Sequence, residues 1–417
     1  MPAHVLVVGP GAEFPGIIRK IGGPDTRTSV ICRNSRVKLI QEPDRQTRIV
    51  ALPADATAQT WVQWARSIHD TDPVTAVGAF GEQDQDRATD IALALGLPTH
   101  HPDTVAAIHN KALMRARLKD AGIDDTPAAV VSDHEEARRF AEQHGYPLIA
   151  KPVQGTASSF VARIESDSEL AAGFNYAGTA SDRSSGTVLL EKFMTGPQVS
   201  VEALSENGEH LVVGVTAKFS DPEHLIEVGH ACPADLDMAM HDEIVAYVTD
   251  VLNALGVQFG ATHTELVLTA EGPRIIESHL RLGGDRIADL VREALGVDLV
   301  DCVAKQTLGV AVLEDVAKSL ATGPLCGSAI WFVAPDLRGT LHAIEGVATA
   351  TGMAGVTEVE TLIMPGDVTR PLRSSFDRGA SVRAQAGTSA EAVRLARVAA
   401  ESIDFLVRSD QSGALTL

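Results

Sequence analysis

Two glutamates in one predicted hairpin carry the sharpest chemistry in the chain. The segment ATHTELVLTAEGPRIIESHL (261–280) reads as two strands around the turn Ala270-Glu271-Gly272. In an antiparallel pair, opposed residue numbers keep a constant sum. Centred on Glu271 that sum is 542, so Glu265 faces Glu277 and His263 faces His279. Side chains alternate along a strand, so all four share one face. Opposed residues have Cβ atoms about 4.5–5.5 Å apart, and like charges there repel. Two opposed glutamates therefore ask for a cation, and the pattern points to a divalent metal. The competing reading is a solvated face with two tolerated carboxylates, since a slip of one residue would separate the pair. Two His and two Glu suit zinc; two carboxylates that leave room for phosphate oxygens suit Mg²⁺.

A lysine favours the second metal. Lys151 ends a predicted strand and precedes PVQGTASSF, a loop of small residues. Such residues let backbone N–H groups approach an anion, and a lysine beside them adds a mobile positive charge. With the paired carboxylates and RLGG (281–284) just downstream, a nucleotide phosphate site becomes the better reading.

The elements around these residues fall into blocks. The first hundred residues alternate strands (His4–Val8, Ser29–Cys32, Val74–Val77) with helical stretches such as Arg87–Leu95, as in a doubly wound parallel unit. Its first turn, GPGAEFPG, lacks the third glycine of a dinucleotide fingerprint, Phe14 standing there, and reads as a plain turn. PDTVAAIHNKALMRARLKDAGI (102–123) reads as one helix stopped by Gly122, and Asp285–Leu295 as another. Past Ala180 the chain turns β-rich: TVLLEKF, QVSVEAL, HLVVGVTAKF and the hairpin above, with Asn207-Gly208 as a turn between two strands. EVGHACPA (227–234) is loop-like. A last α+β segment holds the strand CGSAIWFVA and a final helix, SAEAVRLARVAAESIDFL.

Composition narrows the class. The 417 residues are 45% hydrophobic and 22% charged, an ordinary globular balance, with a formal charge of −20. That argues against a nucleic-acid binder, which needs a basic surface. There is no GxxxxGK[ST], HExxH or GxSxG. Four cysteines, far apart, imply no disulfide framework, and Cys232 reads as a small buried hydrophobe. The start MPAHVLVVGPG lacks a basic leader, and no apolar run is long enough to span a bilayer. A cytoplasmic location and no membrane partner are expected.

The ordered set Lys111 on a helix, Lys151 with its small-residue loop, VLLEKFMTGPQ (188–198), Glu265, and ExxxR from Glu277 to Arg281 resembles the ATP-grasp superfamily. Within it the chain looks most like the L-amino acid ligases, through GEQDQDRATDIALALGLP (81–98), EVGHACPA, ESHLRLGGDRIADL (277–290) and SSFDRGASVRAQAGTSAEA (374–392). The resemblance implies an ATP-grasp fold of mixed α/β and α+β class. Its parts would be a doubly wound pre-ATP-grasp domain (1–101), a small lid subdomain (102–185), a large subdomain with the metal site (186–325) and a C-terminal α+β subdomain (326–417).

It also implies roles. Lys111, Lys151 and the loop Gly155, Thr156, Ala157, Ser158 and Ser159 would meet ATP phosphates. Glu191, Lys192, Phe193 and Met194 would meet the adenine, and Gln198 the ribose, where the family usually has an acid. Glu265 and Glu277 would hold Mg²⁺ or Mn²⁺, with His279 standing where an Asn ligand is usual. Arg281 would hold an acyl-phosphate; Glu82, Glu227, His230 and Gly284 would line the substrate site, His230 with a catalytic share. Phe160 stands where the loop commonly has Gly. The implied reaction is ATP-dependent joining of an amino acid or similar carboxylate to an amine, through an acyl-phosphate. The implied partners are those small molecules, with a homodimer as the assembly. The alternatives are another ATP-grasp branch (biotin-carboxylase-like or purine-pathway), an ATP-binding module without turnover and, last, a zinc hydrolase.

Overall fold

A computed structural model of the chain describes residues 2–155, 160–179, 187–221 and 225–408. The apolar run His4–Val8 (β1) is buried along its whole length, as an inner parallel strand requires. Arg27–Arg33 (β2) and Ala76–Gly78 (β4) flank it and Arg48–Leu52 (β3) forms the edge, in the order β3-β2-β1-β4, all parallel. Successive strands step away from β1 on one side, and β4 then joins its other side. Ligands of open α/β sheets bind beyond the carboxyl ends of the strands at such a switch. Here the loops after β1 and β4, with Gly9, Gly11, Phe80 and Glu82, line one crevice.

A small antiparallel sheet follows: Ala128–Val131 (β5), Leu148–Pro152 (β6), Ala162–Ile164 (β7) and Val188–Lys192 (β8), in the order β5-β8-β6-β7. Its own core includes Phe140, Leu148, Ile164, Phe174 and Leu190.

The large sheet has eight strands. They are Gln198–Glu206 (β9), Glu209–Ser220 (β10), Glu227–Cys232 (β11), Gly260–Thr269 (β12), Gly272–His279 (β13), Gly327–Val333 (β14), Val356–Thr361 (β16) and Ala380–Ala386 (β18). Its order is β13-β12-β9-β10-β11-β14-β18-β16, so C-terminal strands continue the central sheet from β11. Gly339–Glu345 (β15), Val368–Thr369 (β17) and Asp404–Arg408 (β19) form a separate small sheet. The alternation of β9 sorts the two faces. Val199, Val201 and Ala203 pack with Ile244, Val248 and Leu252 of the helix Met238–Leu255. Gln198, Ser200 and Glu202 lie on the opposite, polar face. The turn Asn207-Gly208 has positive φ at both residues, 52° and 81°, as a two-residue hairpin loop demands.

Four local expectations change. The helix expected over 102–123 is two helices, Pro102–His109 and Lys111–Asp120. Asn110 is extended and its side chain accepts hydrogen bonds from the Ala112 and Leu113 amides, capping a new helix. EVGHACPA is not a loop: β11 is paired to β10 and β14 on both sides. The helix expected from Asp285 starts at Ile287, because Asp285 and Arg286 are left-handed, with φ of 52° and 63°. The last helix stops at Ala400, and Asp404–Arg408 pairs with β15 as a strand. Among the described residues, no helix is long and apolar enough to cross a membrane.

Candidate active site

The hairpin register holds at the two glutamates. Glu265 opposes Glu277 and His263 opposes His279. Next to the turn the pairing sums to 541, as in Thr269 with Gly272, and a bulge after Glu265 shifts it by one. One extra residue on β13 thus brings the two carboxylates into line. Two lysines answer their repulsion. Lys111 Nζ lies 2.7 Å from Glu277 Oε2, and Lys218 Nζ lies 2.6 Å from Glu265 Oε2. Burial opposes ionisation of both glutamates, but these lysines, with His263 and His279, hold both carboxyls well below the usual carboxylate range.

Glu265, Glu277 and His279 each offer a ligand atom, all within 4.8 Å of one another. His279 Nδ1 is buried and accepts or donates no hydrogen bond among the described residues. The two ionised carboxylates fit Mg²⁺ or Mn²⁺, whose remaining positions phosphate oxygens or water can fill, while the imidazole is a less usual ligand for either ion. When bound, such an ion neutralises phosphate charge.

A cleft opens between the small and large sheets. It brings together Lys111, Lys151, Gly155, the run Glu191–Met194, Gln198, Glu265 and Glu277. Thr156, Ala157, Ser158 and Ser159 lie outside the described residues. Lys151 Nζ is 2.5 Å from Glu191 Oε2. Burial pushes the Lys151 ammonium down, and Arg115 and Lys111 nearby add to this against the pull of Glu191. Glu191 itself is buried, yet Arg115 and Lys151 hold its carboxyl down to about 2. Arg115 in turn reaches Asp124 at 3.3 Å, and Asp124 accepts from Tyr247 Oη at 2.6 Å. Lys192 donates to the Gly145 and Tyr146 carbonyls, fixing the loop before β6. Phe160 has φ 62°, a backbone region that favours glycine.

Other residues lead away from the cleft into the crevice. His279 Nδ1 lies 3.6 Å from Glu82 Oε1, and Glu82 Oε2 accepts from Arg281 Nε and Nη2 at 3.2 and 3.1 Å. Glu82 and Gly284 line the crevice. Glu227, by contrast, lines the cleft, 3.2 Å from Lys218, which it shares with Glu265. His230 is only 2% exposed; its Nε2 meets Asp285 Oδ2 at 3.0 Å, and Asp285 faces the crevice. Arg378 Nη1 donates to Asp285 Oδ1 at 2.8 Å and Nη2 to the Glu227 carbonyl at 2.6 Å. Burial alone would raise the Asp285 carboxyl, but His230 and Arg378 hold it well below the usual range.

Several of these groups escape a reading of the sequence. Lys218 and Glu202 had a signal: each falls on the polar face of an alternating strand. Glu202 Oε1 accepts from His263 Nδ1 at 2.6 Å, and its Oε2 accepts from the Gly283 amide at 3.3 Å. Burial disfavours a charged His263, but Glu202 and Glu265 outweigh it and raise the imidazole to about 9. Asp285, Arg115 and Arg378 had no such signal. Cys232 is fully buried, and burial pushes its thiol up to about 12, so it is no nucleophile.

Residues 144–289 match the ATP-grasp domain family, and residues 331–408 match L-amino acid ligase C-terminal domain 2. The chain is 30% identical over 313 residues to the protein y4rH of Sinorhizobium fredii, covering 75% of this chain and 64% of that one. It is 24% identical over 281 residues to an L-arginine-specific L-amino acid ligase of Bacillus subtilis, covering 66% of each. The matched stretch thus spans about two thirds of these relatives, or slightly less. The fold is similar to that of an L-amino acid ligase from Bacillus licheniformis, with a TM-score of 0.82 at 20% identity over 98% of this chain and 99% of that one.

Proposed function

Since the chain is an ATP-grasp protein with the C-terminal domain of the L-amino acid ligases, we propose that it is an ATP-dependent ligase joining an amino acid to an amine. One observation carries this reading. Glu277 is shared: Lys111 holds it from the nucleotide cleft, and His279 links it to the Glu82–Arg281 pair at the crevice. A substrate carboxylate held at Arg281 would therefore lie beside the phosphates of a nucleotide in the cleft.

The chemistry follows from that placement. A carboxylate oxygen of the substrate attacks the γ-phosphorus, the bond to ADP breaks, and an acyl-phosphate forms. An amine then attacks the carbonyl carbon, and phosphate leaves with the C–O bond electrons. The protein's share is positioning and charge neutralisation. Lys111 and Lys151 would hold phosphate oxygens, and Glu265, Glu277 and His279 the divalent ion. The run Glu191–Met194 would meet the adenine and Gln198 the ribose. Arg281 offers a planar fork suited to a carboxylate and to the acyl-phosphate that replaces it, while Glu82 can take the ammonium. His230 would act through Asp285, since its own ring is enclosed.

The test is phosphate release with ATP, Mg²⁺ and pairs of the common amino acids, with products weighed by mass spectrometry. The expected product is the sum of two amino acids less one water, with ADP and phosphate. ADP formation that depends on bicarbonate and on no amino acid would replace this reading with a carboxylating ATP-grasp branch.

A further inference from the structure

The chain between β17 and β18 returns over the crevice and places three consecutive side chains in three directions. Asp377 points into the protein and pins the loop: it accepts from Arg370 Nε, from the Arg373 amide at 3.0 Å and from Ser374 Oγ at 2.9 Å. Arg378 turns inward, 4% exposed, bridging Asp285 and the Glu227 carbonyl with its guanidinium 4.0 Å from the Phe332 ring centroid. Phe376 turns the other way. It is 77% exposed, yet it lines the crevice that Glu82, Gly284 and Asp285 also line.

An exposed aromatic ring that lines a crevice offers apolar area a bound ligand can cover. The loop is already fixed by Asp377, so covering the ring costs little further ordering. Arg378, two residues on, ties the loop to Asp285, which lines the same crevice as the ring. We infer that Phe376 is a specificity-determining contact of the ligase proposed above. It forms an apolar wall for a substrate amino acid with a large apolar or aromatic side chain. Arg378 is the positioning residue that sets this wall relative to Asp285 and Glu227.

The inference rests on the ligase reading, and the experiment separates the two. Amino-acid-dependent phosphate release is measured for the parent and for Phe376→Ala with Leu, Met and Phe against Gly, Ala and Ser. The exposed site leaves the fold intact, which ATP binding by each variant checks. The parent prefers the large apolar set. In Phe376→Ala, KM for that set rises about tenfold, the scale of a lost apolar contact, while KM for the small set and for ATP stays. Arg378→Lys keeps the charge but not the fork, and raises KM for both sets alike without changing ATP binding. An unchanged ratio between the sets in Phe376→Ala overturns the inference while leaving the ligase reading intact. So does a change of oligomeric state without a change in KM, which would make the ring a protein contact. Unchanged KM values in Arg378→Lys overturn the positioning role. A parent that releases phosphate with no amino acid overturns the ligase reading and this inference with it.

Discussion

The proposed nucleotide cleft and the proposed substrate crevice are linked through Glu277 and His279 but are built in opposite ways. The cleft draws on one continuous stretch of chain, from Lys111 to Glu277, and its charges sit on paired strands and at a helix start. The crevice draws on segments scattered along the whole chain, among them the ends of β1, β2 and β4, the residues after Lys151, the stretch 282–301 and Phe376. Under the proposed function the triphosphate chemistry is the same for every substrate, so its ligands can be fixed by strand register. Substrate choice depends on loops, which tolerate change without disturbing the sheet.

The comparison breaks first at Glu277, which lines the cleft and reaches the crevice through His279 and Glu82. Glu277→Gln keeps the shape but removes a charge, and ATP turnover should fall at least about a hundredfold. The fold should hold, because the variant relieves an opposed pair and leaves Lys218 on Glu265. Phosphate release and a melting curve on the same preparation check both halves. Normal turnover would take the metal away from this hairpin.

Lys218 tests whether Glu227 belongs to the cleft. It is the cation shared by Glu227 and Glu265. Lys218→Met leaves two half-buried carboxylates without their shared buried cation and should lower the melting temperature. Mg²⁺ should restore part of the lost thermal stability, since an ion at Glu265 replaces the missing charge. Glu227→Ala is the sharper companion. If Glu227 serves the amino acid, ATP binding survives and amino-acid-stimulated phosphate release is lost. If it serves the cleft through Lys218, both weaken together.

The two lysines proposed to meet the phosphates should differ by less. Lys111 has Glu277 and the Gly155 carbonyl as partners, and Lys151 has Glu191. Lys111→Ala and Lys151→Ala should each weaken ATP binding about tenfold, read by calorimetry. Lys151→Ala should be the milder for the fold, because Arg115 remains on Glu191. Unchanged affinity in both would leave the cleft without its phosphate contacts.

The same contrast explains what could be read from the chain. The opposed glutamates were legible because strand pairing is arithmetic, although the arithmetic held only through a bulge. The turn at Asn207-Gly208 and the buried β1 were legible from local chemistry. Asn110 was not, because its side chain had to choose between continuing a helix and capping a new one. Strand β11 looked like a loop because its partners, β10 and β14, come from segments about a hundred residues apart. Arg378 and Asp285 meet across 93 positions, and no local pattern records such a pairing. Asp285 also sits in a left-handed turn that helical periodicity does not foresee.

A control in neither region completes the comparison. His100 stacks on Phe259, with ring centroids 4.3 Å apart, at the junction of the N-terminal unit and the large sheet. Burial pushes its imidazole down to about 4, against a weak pull from the Phe259 backbone. The unfolded chain, with an ordinary imidazole near 6.5, then binds more protons than the folded chain between those two values. His100 therefore contributes its full stability above about pH 6.5 and loses it as pH falls toward 4. Between pH 7 and pH 5 the loss is about 2 kcal/mol. His100→Phe keeps a ring on Phe259 and removes the titration. Urea unfolding at the two pH values should show a smaller acid penalty in the variant by roughly that amount. An equal penalty in both would assign the acid sensitivity to the charged network of the two sites, and the junction would no longer serve as their control.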